Sequence, residues 1–369
     1  ITSTLVTIES ILSDYTGVDD PEKVRNFIID AYTNWETEYV VLGGDVDIIP
    51  MRDLYVVDDG GTQLHSDLYY QCLDGSYNGD GDEYWGETND GEDGGDVDLF
   101  AEVYVGRISA ETSEEMSNAV YKIMAYEQDD AEEGYLQSSC MVGEELGKHF
   151  GPKEFGFAYP YMLEIKNGSS ASGYTTVGFA ANEEYSVDSL YDYNAHWPVD
   201  TIVSYINSNR YSILNHLGHA NTGYVMKMNN TEADSLENDK FLFLLSQGCF
   251  PGDFSDDCIA EHLTTSSRHG LFAGVFNSSY GFGAYNDSRE TLDGPSQRIN
   301  RQFIDAFFSE KIFNLGAVNA DSHEDNVWDI NGDLIRYCIY ESNLFGCPIT
   351  MLRGQVEGAS LIKESVTFD

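Results

Sequence analysis

Short apolar runs alternate with amphipathic stretches along most of the chain. Tyr39-Val40-Val41-Leu42 runs into Gly43-Gly44-Asp45, and Val103-Tyr104-Val105 runs into Gly106. Similar runs lie at Ser139 to Val142, Tyr211 to His216, Phe241 to Leu245 and Leu271 to Phe276. Runs of this length between turn formers fit buried strands. Between them, apolar residues recur at helical spacing. Val24, Phe27, Ile28 and Ala31 form one stripe, with Asp20 as its N-cap and Pro21 at the first helical position. Thr112 with Glu115 reads as a capping box, and Met116, Val120, Ile123 and Met124 keep the helical period behind it. Val199 to Ser208 and Cys258 to Ser266 read as further helices, and the opening Ile1 to Ile8 as a strand. The pattern predicts an α/β fold with a mostly parallel sheet, in which ligands gather at the carboxyl ends of strands.

One segment breaks the alternation. Residues 74–98 are almost all Asp, Glu, Asn and Gly, too acidic to pack and too rich in glycine to be helical. Asn78, Asp80 and Asp82 are spaced two apart, with Tyr84 next and Glu87 beyond. Alternate carboxylates on a tight loop converge on one centre, which is what a hard calcium ion with its many oxygen ligands requires. The spacing resembles the first half of an EF-hand or dockerin loop without the full pattern. The expectation is a structural calcium site, with a solvated acidic loop as the alternative. A second ion could draw on Asp90, Glu92, Asp93, Asp96 or Asp98. A loose boundary falls near 128–134, dividing an N-terminal subdomain (1–134) from a second one (135–354), with 355–369 as a tail or the start of another module.

Composition narrows the function. The 369 residues carry 19 Lys and Arg against 64 Asp and Glu, a net charge of −45. Such a surface repels phosphates, so nucleic acid and anionic lipid are excluded as partners. The 25 Tyr and 19 Phe argue for a packed core and against disorder. No apolar run reaches the roughly 18 residues of a membrane span. The six cysteines form no CxxC pair and are too sparse for a disulfide scaffold; Cys140 and Cys338, in apolar stretches, read as buried.

Two strand ends carry candidate chemistry. Ile213-Leu214-Asn215-His216-Leu217-Gly218-His219-Ala220-Asn221 ends in histidine, and Leu244-Leu245-Ser246-Gln247-Gly248-Cys249-Phe250-Pro251-Gly252-Asp253-Phe254 ends in cysteine. If these strands are neighbours, an imidazole can take the thiol's proton and return it to a leaving amine. On residues alone, a buried small hydrophobe and a structural histidine remain open readings. His216 and His219 do not suit a shared metal, because residues three apart on a strand face opposite sides.

These motifs resemble the gingipain family of cysteine peptidases, which has a caspase-like fold. The resemblance runs through YVVLGGDVDIIP (39–50), SDLYYQCLDG (66–75), EVYVGRISAET (102–112), NHLGHAN, GCFPGDF, DCIAEHL (257–263) and YESNLFGCPITMLRG (340–354). It implies a two-subdomain sheet flanked by helices and a secreted endopeptidase matured from a zymogen. It implies Cys249 as nucleophile, His219 as acid and base, and Glu145 as the carboxylate that orients the histidine, with Glu144 as the fallback. The backbone N–H groups of Cys249 and Ala220 would form the oxyanion hole; Ala220 stands where the family usually has glycine. Phe282 would wall the primary pocket, and His216 would be structural. The Asp that the best-known members use to bind Arg or Lys is not evident between Gly147 and Phe157. The resemblance also implies an earlier strand and helix, expected either as a cleaved fragment of the same precursor or as deleted, since their loss would leave a sheet edge unpaired. Substrates would be proteins or peptides. A catalytically silent surface or adhesion protein on the same scaffold, or a transpeptidase, are the alternatives.

Overall fold

The computed structural model describes residues 2–57, 61–91, 95–129, 134–147, 153–283, 293–331 and 334–354. The predicted Glu92 and Asp93, most of the 128–134 boundary, part of the Gly147–Phe157 stretch and the tail from 355 lie outside the described residues. The described strands are β1 (Tyr39–Gly43), β2 (Arg52–Val56), β3 (Thr62–Ser66), β4 (Tyr104–Ile108), β5 (Ser138–Gly143) and β6 (Ser186–Tyr191). They continue with β7 (Ile213–Leu217), β8 (Tyr224–Val225), β9 (Met228–Asn229), β10 (Leu242–Ser246), β11 (Leu271–Asn277) and β12 (Ser342–Phe345).

Eight of them form one sheet in the order β1-β4-β12-β11-β10-β7-β5-β6. Each described neighbour pair is parallel except β11 with β12. That antiparallel junction divides the sheet into blocks of three and five strands running in opposite directions. The short pairs β2–β3 and β8–β9 lie apart from it.

Within the larger block β5, β7, β10 and β11 are buried because both of their faces are covered, while the edge strand β6 is buried only at Leu190 and Tyr191. Phe243 and Leu245 point into one core with Met141 and Ile213, while Leu242 and Leu244 point into another with Cys140, Val142 and Leu214. Helices Ser113–Gln128, Tyr159–Asn167 and Pro295–Asp305 supply the first core; Val199–Asn207 and Ile259–Thr264 supply the second. All six cysteines are free, and Cys140 and Cys338 are buried as expected. The Thr112–Glu115 capping box forms with both of its halves.

Three expectations fail locally. The long N-terminal helix spans Asp20–Trp35, and its cap is Asp19, whose Oδ1 accepts from Glu22 N at 3.0 Å; Asp20 is already helical. The opening segment is not a strand. Residues 2–7 have no regular structure, and Thr7 caps a helix over Ile8–Asp14, because Ile8, Ile11 and Leu12 recur at helical spacing and pack on one cluster. The acidic segment packs in part: Tyr77 and Val97 are buried. The reason is Arg25, itself buried, whose guanidinium donates to the carbonyls of Tyr69, Cys72, Asp74 and Gly75 at 2.8–3.1 Å.

A buried histidine makes stability depend on pH. His323, on the helix Leu315–Glu324, is 2% exposed, and neither ring nitrogen finds a partner among the described residues. Burial lowers its pKa to about 4. Between about pH 6.5 and 4 the unfolded chain therefore binds a proton that the folded chain refuses, so stability falls as pH falls through that window. The expected loss is about 3 kcal/mol. A His323→Phe variant should lack this component, read as the difference between urea denaturation series of the two proteins across that range.

Candidate active site

The sheet order brings the two motif-bearing strand ends side by side. β7 and β10 are adjacent and parallel, with Ser246 opposite His216, and Gln247 N donates to His216 O at 3.0 Å. Contact continues beyond the strands. A side chain built at Gly248 would lie 2.6 Å from the Ala220 Cβ and 3.5 Å from the Gly218 carbonyl, so the turns carrying His219 and Cys249 pack against each other. Only glycine permits that approach.

Cys249 is half-buried and His219 is exposed at this rim. The chain turns sharply after the cysteine: Phe250 has φ +67°, a left-handed conformation that costs an ordinary residue about 1 kcal/mol. Tertiary bonds hold it there, with Phe250 N donating to Ser279 O at 2.7 Å and Gly252 N to Asn277 O at 3.0 Å. The thiol points at Gly281 O, 3.9 Å away. Burial pushes the Cys249 pKa up. The sulfur is thus a thiol at neutral pH and needs a base to become a nucleophile.

Among the described residues, the N–H groups of Cys249 and Ala220 have no acceptor. Ala220 does not enter the left-handed region, so its N–H is presented much as that of any residue would be. Phe282 follows Gly281 on the loop beside the thiol; its N–H donates to Ser296 Oγ at 2.8 Å and its ring meets Tyr337 edge-on at 4.9 Å.

The two glutamates after β5 are treated differently. Glu144 is buried beneath Gly218, where an added Cβ would meet the Glu144 Cδ at 2.5 Å, and its carboxylate lies 3.3 Å from His216 Nε2. Glu145 is exposed, and its N–H donates to Asp192 Oδ2 at 3.1 Å. His219 makes no side-chain hydrogen bond among the described residues. His65 is a contributor that sequence reasoning passed over: its Nδ1 lies 2.7 Å from Asp253 Oδ1, tying β3 to the turn after Cys249. Burial alone would lower its pKa, but the Asp253 carboxylate overrides this and holds it raised. Nothing in the local sequence around His65 marks it, since its partner is 188 residues away.

In the acidic loop, Asp80, Asp82 and Glu87 bring carboxylate oxygens to within 4.8 Å of one another. Asn78 Oδ1 and Asp90 Oδ1 are buried nearby and find no hydrogen-bond partner among the described residues. Asp90 Oδ2 accepts from Gly86 and Glu87 N–H, which holds the turn. Tyr84 donates its N–H to Asp82, and its ring lies tilted against Tyr55 with the centroids 4.3 Å apart. Carboxylates this close together, with bare oxygens behind them, fit a hard divalent cation.

The fold and the paired strand ends define a cysteine-peptidase type of scaffold, and comparison with known proteins places it. Residues 1–353 match peptidase family C25, and the chain belongs to that family. Lys-gingipain W83 of Porphyromonas gingivalis is 22% identical over 315 residues, which is 79% of this chain and 15% of the relative. The chain thus spans a small part of the length of its curated relatives. Among solved structures, the Arg-specific cysteine proteinase gingipain R (RgpB) superposes with a TM-score of 0.65 at 19% identity, covering 94% of this chain and 71% of that one. The complex of the P. gingivalis RgpB pro- and mature domains gives 0.65 at 18% identity, covering 94% and 73%. The fold is the gingipain, caspase-like one. No described helix is long and apolar enough to cross a membrane.

Proposed function

We propose that the chain is the catalytic unit of a secreted cysteine endopeptidase in which Cys249 attacks peptide carbonyls and His219 moves the protons. The observation that carries this reading is the contact of the Gly218–Ala220 turn with Gly248, which sets the histidine and the cysteine on abutting turns. His219 takes the thiol proton as the sulfur attacks, and the carbonyl oxygen becomes an oxyanion received by the N–H groups of Cys249 and Ala220. The protonated imidazole then gives its proton to the departing amine, leaving a thioester. Water, deprotonated by His219, cleaves the thioester and releases the acid. Glu144 or Glu145 is the candidate for orienting the imidazole, and Phe282 for lining the pocket beside the sulfur. Activation from a precursor fits a relative that is solved with its pro-domain. Incubating the chain with a diverse peptide library and reading new termini by mass spectrometry tests the proposal. Discrete cuts with a shared residue before the scissile bond support it, and an intact library overturns it. Cuts joined to added amines, in place of free acids, would indicate a transpeptidase.

Calcium held by Asn78, Asp80, Asp82, Tyr84 and Glu87 would brace the N-terminal half without entering the chemistry. Chelation should then lower the thermal midpoint by roughly 5 °C, from the free energy of a site filled well above its Kd. Adding calcium back should restore it in the natural chain and not in Asp80→Asn/Asp82→Asn. An unchanged midpoint on chelation would refute the site.

A further inference from the structure

Beneath the candidate active site, Glu144, offered above as a candidate for orienting the imidazole, meets two side chains with no role in the peptidase chemistry, His216 and Ser246. Glu144, His216 and Ser246 stand at the carboxyl ends of β5, β7 and β10, three adjacent strands. Because side chains alternate along a strand, Glu144 shares a face with Val142, His216 with Leu214, and Ser246 with Leu244. Register sets them side by side: Val142 pairs with His216, and His216 with Ser246. All three are buried.

Their hydrogen bonds form one chain. Glu144 Oε1 lies 3.3 Å from His216 Nε2, and His216 Nδ1 lies 2.9 Å from Ser246 Oγ. Ser246 Oγ also accepts from Gly248 N–H at 3.2 Å. One tautomer satisfies every group: Nε2–H donates to Glu144, Nδ1 accepts from the serine hydroxyl, and the serine oxygen accepts from the Gly248 peptide. The order serine, histidine, carboxylate is that of a hydrolase triad, but burial keeps substrate from Ser246.

The chain reaches both halves of the candidate site. At one end it holds the N–H of Gly248, the residue before Cys249. At the other, the Glu144–His216 pair is the floor on which Gly218 sits, since a Cβ there would lie 2.6 Å from His216 Nε2. We propose that Glu144, His216 and Ser246 form a buried positioning relay that sets Cys249 against His219. None of the three touches substrate, so they are positioning residues. The inference rests on the peptidase reading of Cys249 and His219. A reacting pair held by one shared, fully satisfied network keeps its geometry, and small displacements there cost rate more than binding.

The test uses Ser246→Ala and Ser246→Thr, small changes that leave the two apolar cores intact. Three quantities are followed: kcat and KM on a cleaved peptide, the thermal midpoint, and the rate at which iodoacetamide labels Cys249, read on its own peptide. Ser246→Ala should lower kcat about tenfold with KM within about twofold, the loss of one buried hydrogen bond seen at the transition state. Its Cys249 labelling rate should fall about threefold or more, by the same reasoning, and Ser246→Thr should recover both. A Ser246→Ala enzyme with natural kcat and labelling overturns the relay. So does an equal loss in the alanine and threonine variants with a lowered thermal midpoint in both. If the natural chain cuts no peptide while Ser246→Ala still slows labelling, the peptidase reading fails and the positioning relay stands.

Discussion

Cys249→Ala should abolish peptide hydrolysis, with kcat falling by at least about 10⁴-fold, because the covalent route disappears with the sulfur. The thermal midpoint should stay close to that of the natural chain. The thiol is half-buried, its one hydrogen-bond approach among the described residues is to Gly281 O at 3.9 Å, and alanine keeps the left-handed turn at Phe250 and its bond to Ser279. His219→Ala should give a comparable loss, since burial holds Cys249 as a thiol that cannot ionise without a base. Steady-state hydrolysis of one identified peptide, with single-turnover acylation as a second readout, measures both. Full hydrolysis by Cys249→Ala would refute the assignment, and hydrolysis by His219→Ala would move the base elsewhere.

The largest stability effect should come from Arg107→Ala. Arg107, on β4, is 1% exposed and makes a two-pronged pair with Asp67, Nε to Oδ2 at 2.8 Å and Nη2 to Oδ1 at 2.6 Å. Its Nη1 also donates to the carbonyls of Gly44 and Ile49, at 3.0 and 2.8 Å. Truncation therefore strands one buried carboxylate and two carbonyls together. Removing one partner of such a pair typically costs about 3–5 kcal/mol, most of it the penalty of an uncompensated charge. Urea denaturation should show the midpoint falling with the slope unchanged. Arg107→Met with Asp67→Leu should recover part of the loss, because no charge then remains unpaired. It should not recover all of it, because the two carbonyls stay bare. A cost below about 1 kcal/mol for Arg107→Ala would mean that water reaches Asp67 in the folded state.

The legibility of the site follows the same division between local and distant causes. The strand runs at Val40–Leu42 and Leu242–Leu245 and the capping box at Thr112 are local, and the structure contains each. Local rules misplaced the start of one helix by one residue, because Asp19 and Asp20 are equally good caps as residue types. They turned Ile1 to Ile8 into a strand, because an alternating short segment looks the same until its helical neighbours Ile11 and Leu12 find a core. The acidic segment looked unpackable because the residue that packs it, Arg25, lies about 50 positions upstream.

By itself, the sequence determined the α/β alternation, the short buried strands, and the two glycine-flanked strand ends bearing His219 and Cys249. Each depends on residues within a few positions of one another, where backbone geometry and side-chain period act directly. The tertiary structure alone decided that β5, β7 and β10 are neighbours, and hence that Glu144 lies beneath the site while Glu145 faces outward. It also decided that His216, Ser246 and His65 have partners from distant parts of the chain. A strand's period tells which side chains share a face; what lies beside that face is settled by sheet order and register, through hydrogen bonds between segments far apart in sequence.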